Sequence, residues 1–185
     1  ENQPDEKGDI HSWGQGRRMG ELAGAVANVQ LRKLPEVVAH MRTSKQRIKD
    51  GLGRMQGIAF RRLNDPEGDT GPFLILTFVD KSRAVRVADA LTGAGMENVF
   101  HLSAYGLHVY HNIRSLVELV PLSPAGNPWS LPQNAGRTYA YAKGTCLRAD
   151  DLFDRSVIIT VPSQLTPQQE QGMAQAIRHA VASVV

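Results

Sequence analysis

Two short runs of large apolar and β-branched residues, at positions 58–63 and 73–79, constrain the fold of this 185-residue chain more than any other feature. The segment between them, residues 65–72, is rich in Asp, Gly and Pro, which favour tight turns. The pattern predicts two neighbouring strands in antiparallel arrangement. Further short strands are predicted at residues 99–102, 107–110 and 156–161.

Helical periodicity precedes and follows these strands. Apolar residues recur every three or four positions over residues 19–34, which is typical of an amphipathic helix. Pro35 predicts a kink or a new helix start, and the helical pattern then continues until Gly51 and Gly53 stop it. Further helices are predicted at residues 82–91, at residues 112–119 and after Thr166, which is placed to cap the last helix ahead of Pro167.

The predicted elements indicate an α+β fold, in which a long helical arm precedes a small, mostly antiparallel sheet covered by helices. Residues 121–137 hold four prolines, two glycines and Trp129, so we expect a long loop there. Residues 1–10 are polar and acidic and do not start with Met. We therefore expect the chain to be part of a longer polypeptide.

Composition excludes several classes of protein. The 42% hydrophobic and 21% charged residues are typical of a globular chain, and no apolar stretch approaches the roughly 20 residues of a membrane span. A single cysteine, Cys146, excludes an intramolecular disulfide framework. The formal charge is only +3, and the basic run at residues 42–49 has no interleaved aromatic side chains. We expect a cytoplasmic protein that binds neither a membrane nor nucleic acid.

A glycine-rich turn, Gly14-Gln15-Gly16-Arg17-Arg18, leads directly into the first predicted helix. Backbone N–H groups and the helix dipole favour an anion at such a start, and an arginine can hold a phosphate through two hydrogen bonds. Met19 stands where a dinucleotide fingerprint needs its third glycine, and no strand precedes the turn, which argues against Rossmann-type binding. Two interpretations stay open, an anion site or a helix start with two solvated arginines.

Other residues that could carry chemistry form no complete catalytic set. His101, His108 and His111 suit either a metal site or hydrogen-bonded structural roles, and His108 and Tyr110 would share one face of a strand. Cys146 has basic neighbours that favour a thiolate but no histidine base beside it. The sequence has no nucleophile elbow, P-loop or paired-carboxylate motif.

Residues 14–34 resemble the sugar-aminotransferase family, which are pyridoxal-phosphate enzymes of the aspartate-aminotransferase fold (the DegT/DnrJ/StrS group). The family pattern there is Gly-any-Asn-aromatic-Arg-Met, then Glu-Leu, two small residues, and Gln-Leu before a basic residue. Residues 152–166 are similar to the family's last strand, proline-containing turn and final helix. Weaker likeness at residues 107–116 and 146–155 extends the resemblance over most of the chain.

The resemblance implies that this chain is the C-terminal half of an aminotransferase and is inactive alone. Residues 1–50 would form the end of the large domain and the connecting helix, and residues 51–185 the small α+β domain. The lysine that forms a Schiff base with pyridoxal phosphate would lie in the missing N-terminal half, which would bind most of the cofactor. None of the chain's own lysines has the family context of that residue: Lys7, Lys33, Lys45, Lys49, Lys81 and Lys143.

The resemblance also implies site residues and partners. A family Asn reaches across the dimer interface to the partner's cofactor phosphate, but Gly16 occupies that position here, so Gln15, the Gly16 N–H or Arg18 would replace the contact. His108 and Tyr110 match the region that faces the substrate. The implied partners are a second copy of the chain in a homodimer, glutamate or glutamine as amino donor, and a ketosugar or related polyol ketone as acceptor.

Two other interpretations compete with the aminotransferase. The chain could be a non-catalytic α+β binding or dimerisation module with an anion site at residues 14–18. It could also belong to a catalytically dead or regulatory homologue, which the loss of the family Asn at Gly16 would favour. If the chain is a fragment, the apolar residues between positions 19 and 34 have lost a packing partner, which predicts self-association or a mobile arm.

Overall fold

The structure is a computed structural model that describes residues 19–120 and 128–184. Its helices are α1 (Glu21–Leu52), α2 (Lys81–Gly93), α3 (Arg114–Val117), α4 (Leu147–Asp154) and α5 (Pro167–Val184). Its strands are β1 (Ile58–Phe60), β2 (Phe73–Phe78), β3 (Val99–His101) and β4 (Ser156–Thr160). No helix of these described residues is long and apolar enough to cross a membrane.

The chain divides after Val38 into two compact units, and α1 contributes to both. In the first unit, α1 carries an apolar stripe of Leu22, Val26 and Val29, whose side chains are 81%, 54% and 48% exposed. The helix continues through Pro35, so the new helix start that was one of the two expectations there is not found. The predicted domain boundary between residues 50 and 51 stays a prediction.

The second unit is built on a four-stranded sheet in the order β1-β2-β4-β3, with every neighbouring pair antiparallel. The last strand in the sequence, β4, lies between β2 and β3. Its Ile158 pairs with Ile75 on one side and with Phe100 on the other. The predicted α+β fold, a helical arm followed by a small antiparallel sheet with helices, is confirmed.

The hydrophobic core lies on one face of the sheet. Alternate residues of β2 are buried, so Leu74, Leu76 and Phe78 point to the same face as Val157 and Ile159 of β4. Helix α1 covers this face with its C-terminal part, together with α2 and α5. The buried helical residues are Ile48, Leu52, Ala84, Val87, Ala88, Leu91, Ala174, Ile177, Ala180 and Val181.

Polar contacts fix α1 against the rest of the second unit. The Ser44 hydroxyl donates to the 3% exposed Glu170 carboxylate of α5 at 2.7 Å, and the Arg42 guanidinium donates to carbonyls of the β1–β2 turn. Gly71, at the end of that turn, has φ +85°, and a Cβ there would lie 2.7 Å from the backbone nitrogen of Arg42. Only glycine therefore allows the turn to approach α1 this closely.

Two local predictions differ from the structure. Residues 107–110 were expected to form a strand but lie in 3-10 turns, Gly106–His108 and Tyr110–Asn112. Gly106 adopts φ +50°, and the side-chain amide of Asn112 donates to the carbonyls of Ser103 and Gly106, so local bonds replace strand pairing. Helix α4 was not predicted, and residues 121–127 of the predicted loop lie outside the described residues.

Candidate functional site

The face of the sheet opposite the core forms the floor of a groove of about 710 Å³, here called the sheet groove. Its floor includes Phe73, Ile75 and Ile158, which alternate with the core-facing residues of β2 and β4. The remaining described residues that line it come from β1 and the two positions after it, from β2 and β4, from the 3-10 turns after β3 and from the end of α4. They are Ala59, Phe60, Arg61, Arg62, Thr77, Leu102, Tyr105, His108, Leu152, Phe153, Arg155 and Ser156.

Tyr105 and His108 line one wall of the sheet groove, and Phe100 packs against Tyr105. The Phe100 and Tyr105 ring centroids are 5.1 Å apart, and the His108 imidazole stacks on Tyr105 at 4.8 Å with a 22° angle between the ring planes. His108 is exposed, so its ring can meet a ligand in the groove. Of the two residues predicted to face a substrate, His108 is the one that lines the groove.

Tyr110 points into a polar cluster around Asp150. Its hydroxyl donates to the Asp150 carboxylate at 2.8 and 3.0 Å and accepts the backbone N–H of Cys146 at 3.2 Å. Gly144 donates its backbone N–H to the same carboxylate at 2.7 Å. Burial, and then the hydrogen bond to Asp150, raise the pKa of Tyr110 above its ordinary value. Tyr110 therefore anchors the start of α4, and the predicted shared strand face with His108 does not form.

His111 completes this polar cluster. Its side chain is 9% exposed, and its Nδ1 lies 3.6 Å from Asp150 Oδ1, too long for a hydrogen bond. Its Nε2 lies 3.5 Å from the Ser103 hydroxyl. Asp150 was missed by the sequence analysis because α4 was missed. The sequence signal that could have indicated α4 is the opposite charge of Asp151 and Arg155, four residues apart, which form an ion pair at the end of this helix.

The other predicted metal ligands and the cysteine take structural positions. His101 Nε2 lies 2.6 Å from the Asp154 carbonyl oxygen. His108 and His111 contact other residues, Tyr105 and Ser103. Within residues 19–120 and 128–184, no three His, Cys, Asp or Glu residues gather closely enough to hold a metal ion. Cys146 is exposed and precedes α4, with its N–H bound to Tyr110.

Four of the five lysines of the described region contact other groups of the chain, and Lys33 is exposed. Lys45 is 7% exposed and donates to Asp69 at 2.6 Å, while Lys143 donates to both Asp154 oxygens at 2.6 and 2.7 Å. Lys49 lies 5.0 Å from the Phe60 ring centroid, and Lys81 is 3.6 Å from Asp154. A Schiff base needs a neutral amine, which a carboxylate partner disfavours. The carboxylate-paired Lys45, Lys81 and Lys143 thus do not fit the lysine of a pyridoxal phosphate site.

The carboxylate of Asp154 reflects this pairing. Burial alone would raise the pKa of Asp154, but hydrogen bonds from Lys143 and Ser103 and the charge of Lys81 bring it below its ordinary value.

The predicted cofactor-binding residues Gln15, Gly16 and Arg18, and Lys7, lie outside the described residues. Their roles stay predictions.

Comparison with known proteins identifies the fold. No protein-family model matches the sequence. The aminotransferase TlmJ from Streptoalloteichus hindustanus matches 96% of this chain and 40% of its own, with 19% identity and a TM-score of 0.61. DesI, solved in the presence of its TDP-sugar product, matches 97% of this chain and 40% of its own, with 17% identity and a TM-score of 0.58.

A third structure, 3-amino-5-hydroxybenzoic acid synthase, matches 95% of this chain and 43% of its own, with 14% identity and a TM-score of 0.56. This chain has a sugar-aminotransferase-type fold. The likeness is one of fold, and the chain spans about two fifths of the length of these structures. The fold expected from the resemblance of residues 14–34 and 152–166 is confirmed.

Proposed function

We propose that this chain is the C-terminal region of a pyridoxal-phosphate-dependent aminotransferase that moves an amino group from glutamate or glutamine onto a ketosugar or related polyol ketone. The fold likeness to the aminotransferase TlmJ over 96% of the chain carries this proposal. Pyridoxal phosphate supplies the electron sink for such a transfer. The enzyme is a cytoplasmic homodimer, and its Schiff-base lysine belongs to polypeptide outside these 185 residues.

The proposed role of this chain is to form one wall of the active site. Gln15, the Gly16 N–H and Arg18 bind the cofactor phosphate at the start of α1, where backbone donors and the helix dipole favour an anion. His108 contacts the substrate through its exposed imidazole ring. Tyr110 acts as a positioning residue, because its hydroxyl is bound to Asp150 and the Cys146 N–H.

The apolar stripe on α1 supports the proposed dimer. Leu22, Val26 and Val29 recur at helical spacing and are about half exposed or more, which is unusual for a helix face in contact with water alone. In the proposed enzyme a second copy or further polypeptide of the same protein covers this stripe.

The first experiment compares three proteins: the full-length polypeptide, the same polypeptide without residues 1–185, and the 185-residue chain alone. We expect visible absorbance of bound pyridoxal phosphate and transfer of nitrogen from glutamate or glutamine to ketosugars only in the first. Full activity without residues 1–185 would contradict the proposal. A natural polypeptide of only 185 residues that binds no cofactor would favour the non-catalytic module. A longer natural protein that shows no cofactor absorbance would favour the catalytically dead homologue.

The second experiment tests the phosphate contact with neighbouring arginines. In the full-length protein, Arg18→Ala should raise the Kd for pyridoxal phosphate by about tenfold or more, because a charge-assisted hydrogen bond is lost. Arg17→Ala is the matched control and should change the Kd much less. Equal effects of the two substitutions would show general electrostatic attraction instead of a specific contact at Arg18.

A further inference from the structure

The sheet groove has the dimensions and lining of a small-molecule site. Its volume of about 710 Å³ lies within the usual range of roughly 300–1,000 Å³ for ligand pockets. Apolar side chains form its floor along β2, where Phe73 and Ile75 flank Ile158 of the neighbouring strand. From Phe73 to Thr77 the strand extends about 13 Å, which is long enough for an extended chain of eight carbons.

Basic side chains line the groove, and no acidic residue does so among the described residues. Arg155 is already used, since it donates to Asp151 at 2.7 Å and to the Phe78 carbonyl at 3.0 Å. Arg61 and Arg62 follow β1 at the Phe73 end of the groove and are exposed. Arg61 forms an ion pair with Asp69 at 3.9 Å, which is too long for a hydrogen bond, so its guanidinium keeps hydrogen-bond donors for a ligand. Arg62 is exposed, so its guanidinium can also accept an anionic ligand.

We propose that the sheet groove binds an organic carboxylate with an apolar body, its acidic head on Arg61 and Arg62 and its body over Phe73, Ile75 and Ile158. The apolar body removes the half-buried Phe73 and Ile75 side chains from water, which is the main source of affinity in such sites. The carboxylate supplies the charge that complements the arginines. A polyol matches this floor poorly, because its hydroxyl groups would lose water without gaining hydrogen bonds. The organic carboxylate is therefore a different ligand from the proposed amino acceptor.

The test uses octanoate as the probe and octanamide as its neutral counterpart, with the full-length protein labelled at its isoleucine methyl groups for NMR. We expect octanoate to shift the methyl signals of Ile75 and Ile158, which line the groove. Ile159 and Ile177 provide internal controls, since they lie in the core on the other face of the sheet. Their signals should stay unchanged.

Charge recognition is tested with two exposed arginines. Arg62→Ala should raise the Kd for octanoate about two- to fivefold, the range of an exposed ion pair, and leave the Kd for octanamide unchanged. Arg54→Ala, outside the groove lining, is the matched control and should change neither. These readouts need no cofactor and no amino transfer, so they are independent of the proposed reaction.

Two outcomes would overturn the inference. If the Ile75 and Ile158 signals do not shift at high octanoate concentration, the groove does not bind the ligand. This result is expected if further polypeptide of the protein packs on this face of the sheet. Equal octanoate affinity in the Arg62→Ala and Arg54→Ala variants means that the arginines do not recognise the carboxylate.

Discussion

The Tyr110 hydroxyl donates to Asp150 at 2.8 Å although forty residues separate the two in sequence. The same oxygen accepts the N–H of Cys146, so one phenol joins the 3-10 turns after β3 to the start of α4. Both segments contribute walls to the sheet groove through His108 and Phe153. The shape of the groove therefore depends on this contact as well as on the sheet beneath it.

Tyr110→Phe should destabilise the second unit and loosen α4, because Asp150 loses a donor and the Cys146 N–H loses its acceptor. Thermal unfolding at neutral pH measures this, with a lower Tm expected. Tyr139→Phe is the matched control, since the Tyr139 ring stacks on Tyr141 and its hydroxyl has no hydrogen bond within the described residues.

The same hydroxyl predicts a pH dependence. Burial, followed by Asp150, raises the pKa of Tyr110 in the folded protein. The stability that this group contributes is therefore fully present below the ordinary tyrosine pKa near 10 and is lost as pH rises through the raised folded value. An alkaline absorbance titration should show a late-titrating tyrosine in the wild type that is lost in Tyr110→Phe. A late transition that survives the substitution would assign it to another tyrosine.

Asp69→Asn should lower the free energy of unfolding by about 1–3 kcal/mol, since Lys45, which is 7% exposed, loses its charged partner. Burial alone would raise the pKa of Asp69, but the hydrogen bond and charge of Lys45 bring it below its ordinary value. The stabilisation is therefore present above the ordinary aspartate pKa near 3.9 and is lost as pH falls through the lowered folded value. Denaturant unfolding at several pH values tests this.

The control for this ion pair is Asp89→Asn, an exposed residue of α2. It removes the same charge and should change the free energy of unfolding by less than about 0.5 kcal/mol. The difference between wild type and Asp69→Asn should shrink in acid. A difference that is constant from neutral pH to pH 3 would mean that the ion pair does not account for it.

Gly71→Ala should destabilise the protein by about 2 kcal/mol or more, because the new Cβ would meet the α1 backbone at Arg42 and φ is +85°. Gly93→Ala is the matched control. That glycine ends α2, and nothing lies within 4 Å of a Cβ placed there, so alanine should be neutral or stabilise by up to about 1 kcal/mol. Denaturant midpoints of both variants measure the contrast, and equal midpoints would contradict it.

Val26→Asp should weaken self-association, because it places a charge in the centre of the apolar stripe between Leu22 and Val29. Sedimentation velocity over a range of concentrations measures the effect, with a shift toward monomer expected. Asn28→Asp adds the same charge to the opposite side of α1 and should leave the sedimentation unchanged. Wild-type protein that remains monomeric at high concentration would remove the basis for this prediction.

Sequence patterns predicted the elements whose signals are local. Thr166 caps α5 as expected: its hydroxyl accepts the Gln169 N–H at 3.3 Å, and the Gln169 side chain accepts the Thr166 N–H at 2.8 Å. Gly53 follows the end of α1 with φ +60°, as a helix-stopping glycine does. The apolar, β-branched run at residues 73–79 forms strand β2, as predicted.

The elements that were predicted wrongly or not at all lie where side-chain contacts outweigh the local sequence pattern. Val109 is apolar and β-branched, yet its neighbours form 3-10 turns because Asn112 and Gly106 bond locally and Tyr110 is held by Asp150. Helix α4 is eight residues long, and Cys146 at its N-cap makes no side-chain capping bond, so no start signal marks it. The sheet groove could not be predicted either, since it needs the strand order.

That strand order determines when the second unit can fold during synthesis. β2 and β3 leave the ribosome well before β4, which pairs with both of them and joins the two halves of the sheet. Until Ser156–Thr160 emerges, each of the two earlier strands presents an unpaired edge to other nascent chains. We therefore expect a premature stop before Ser156 to give an aggregation-prone product rather than a smaller working module.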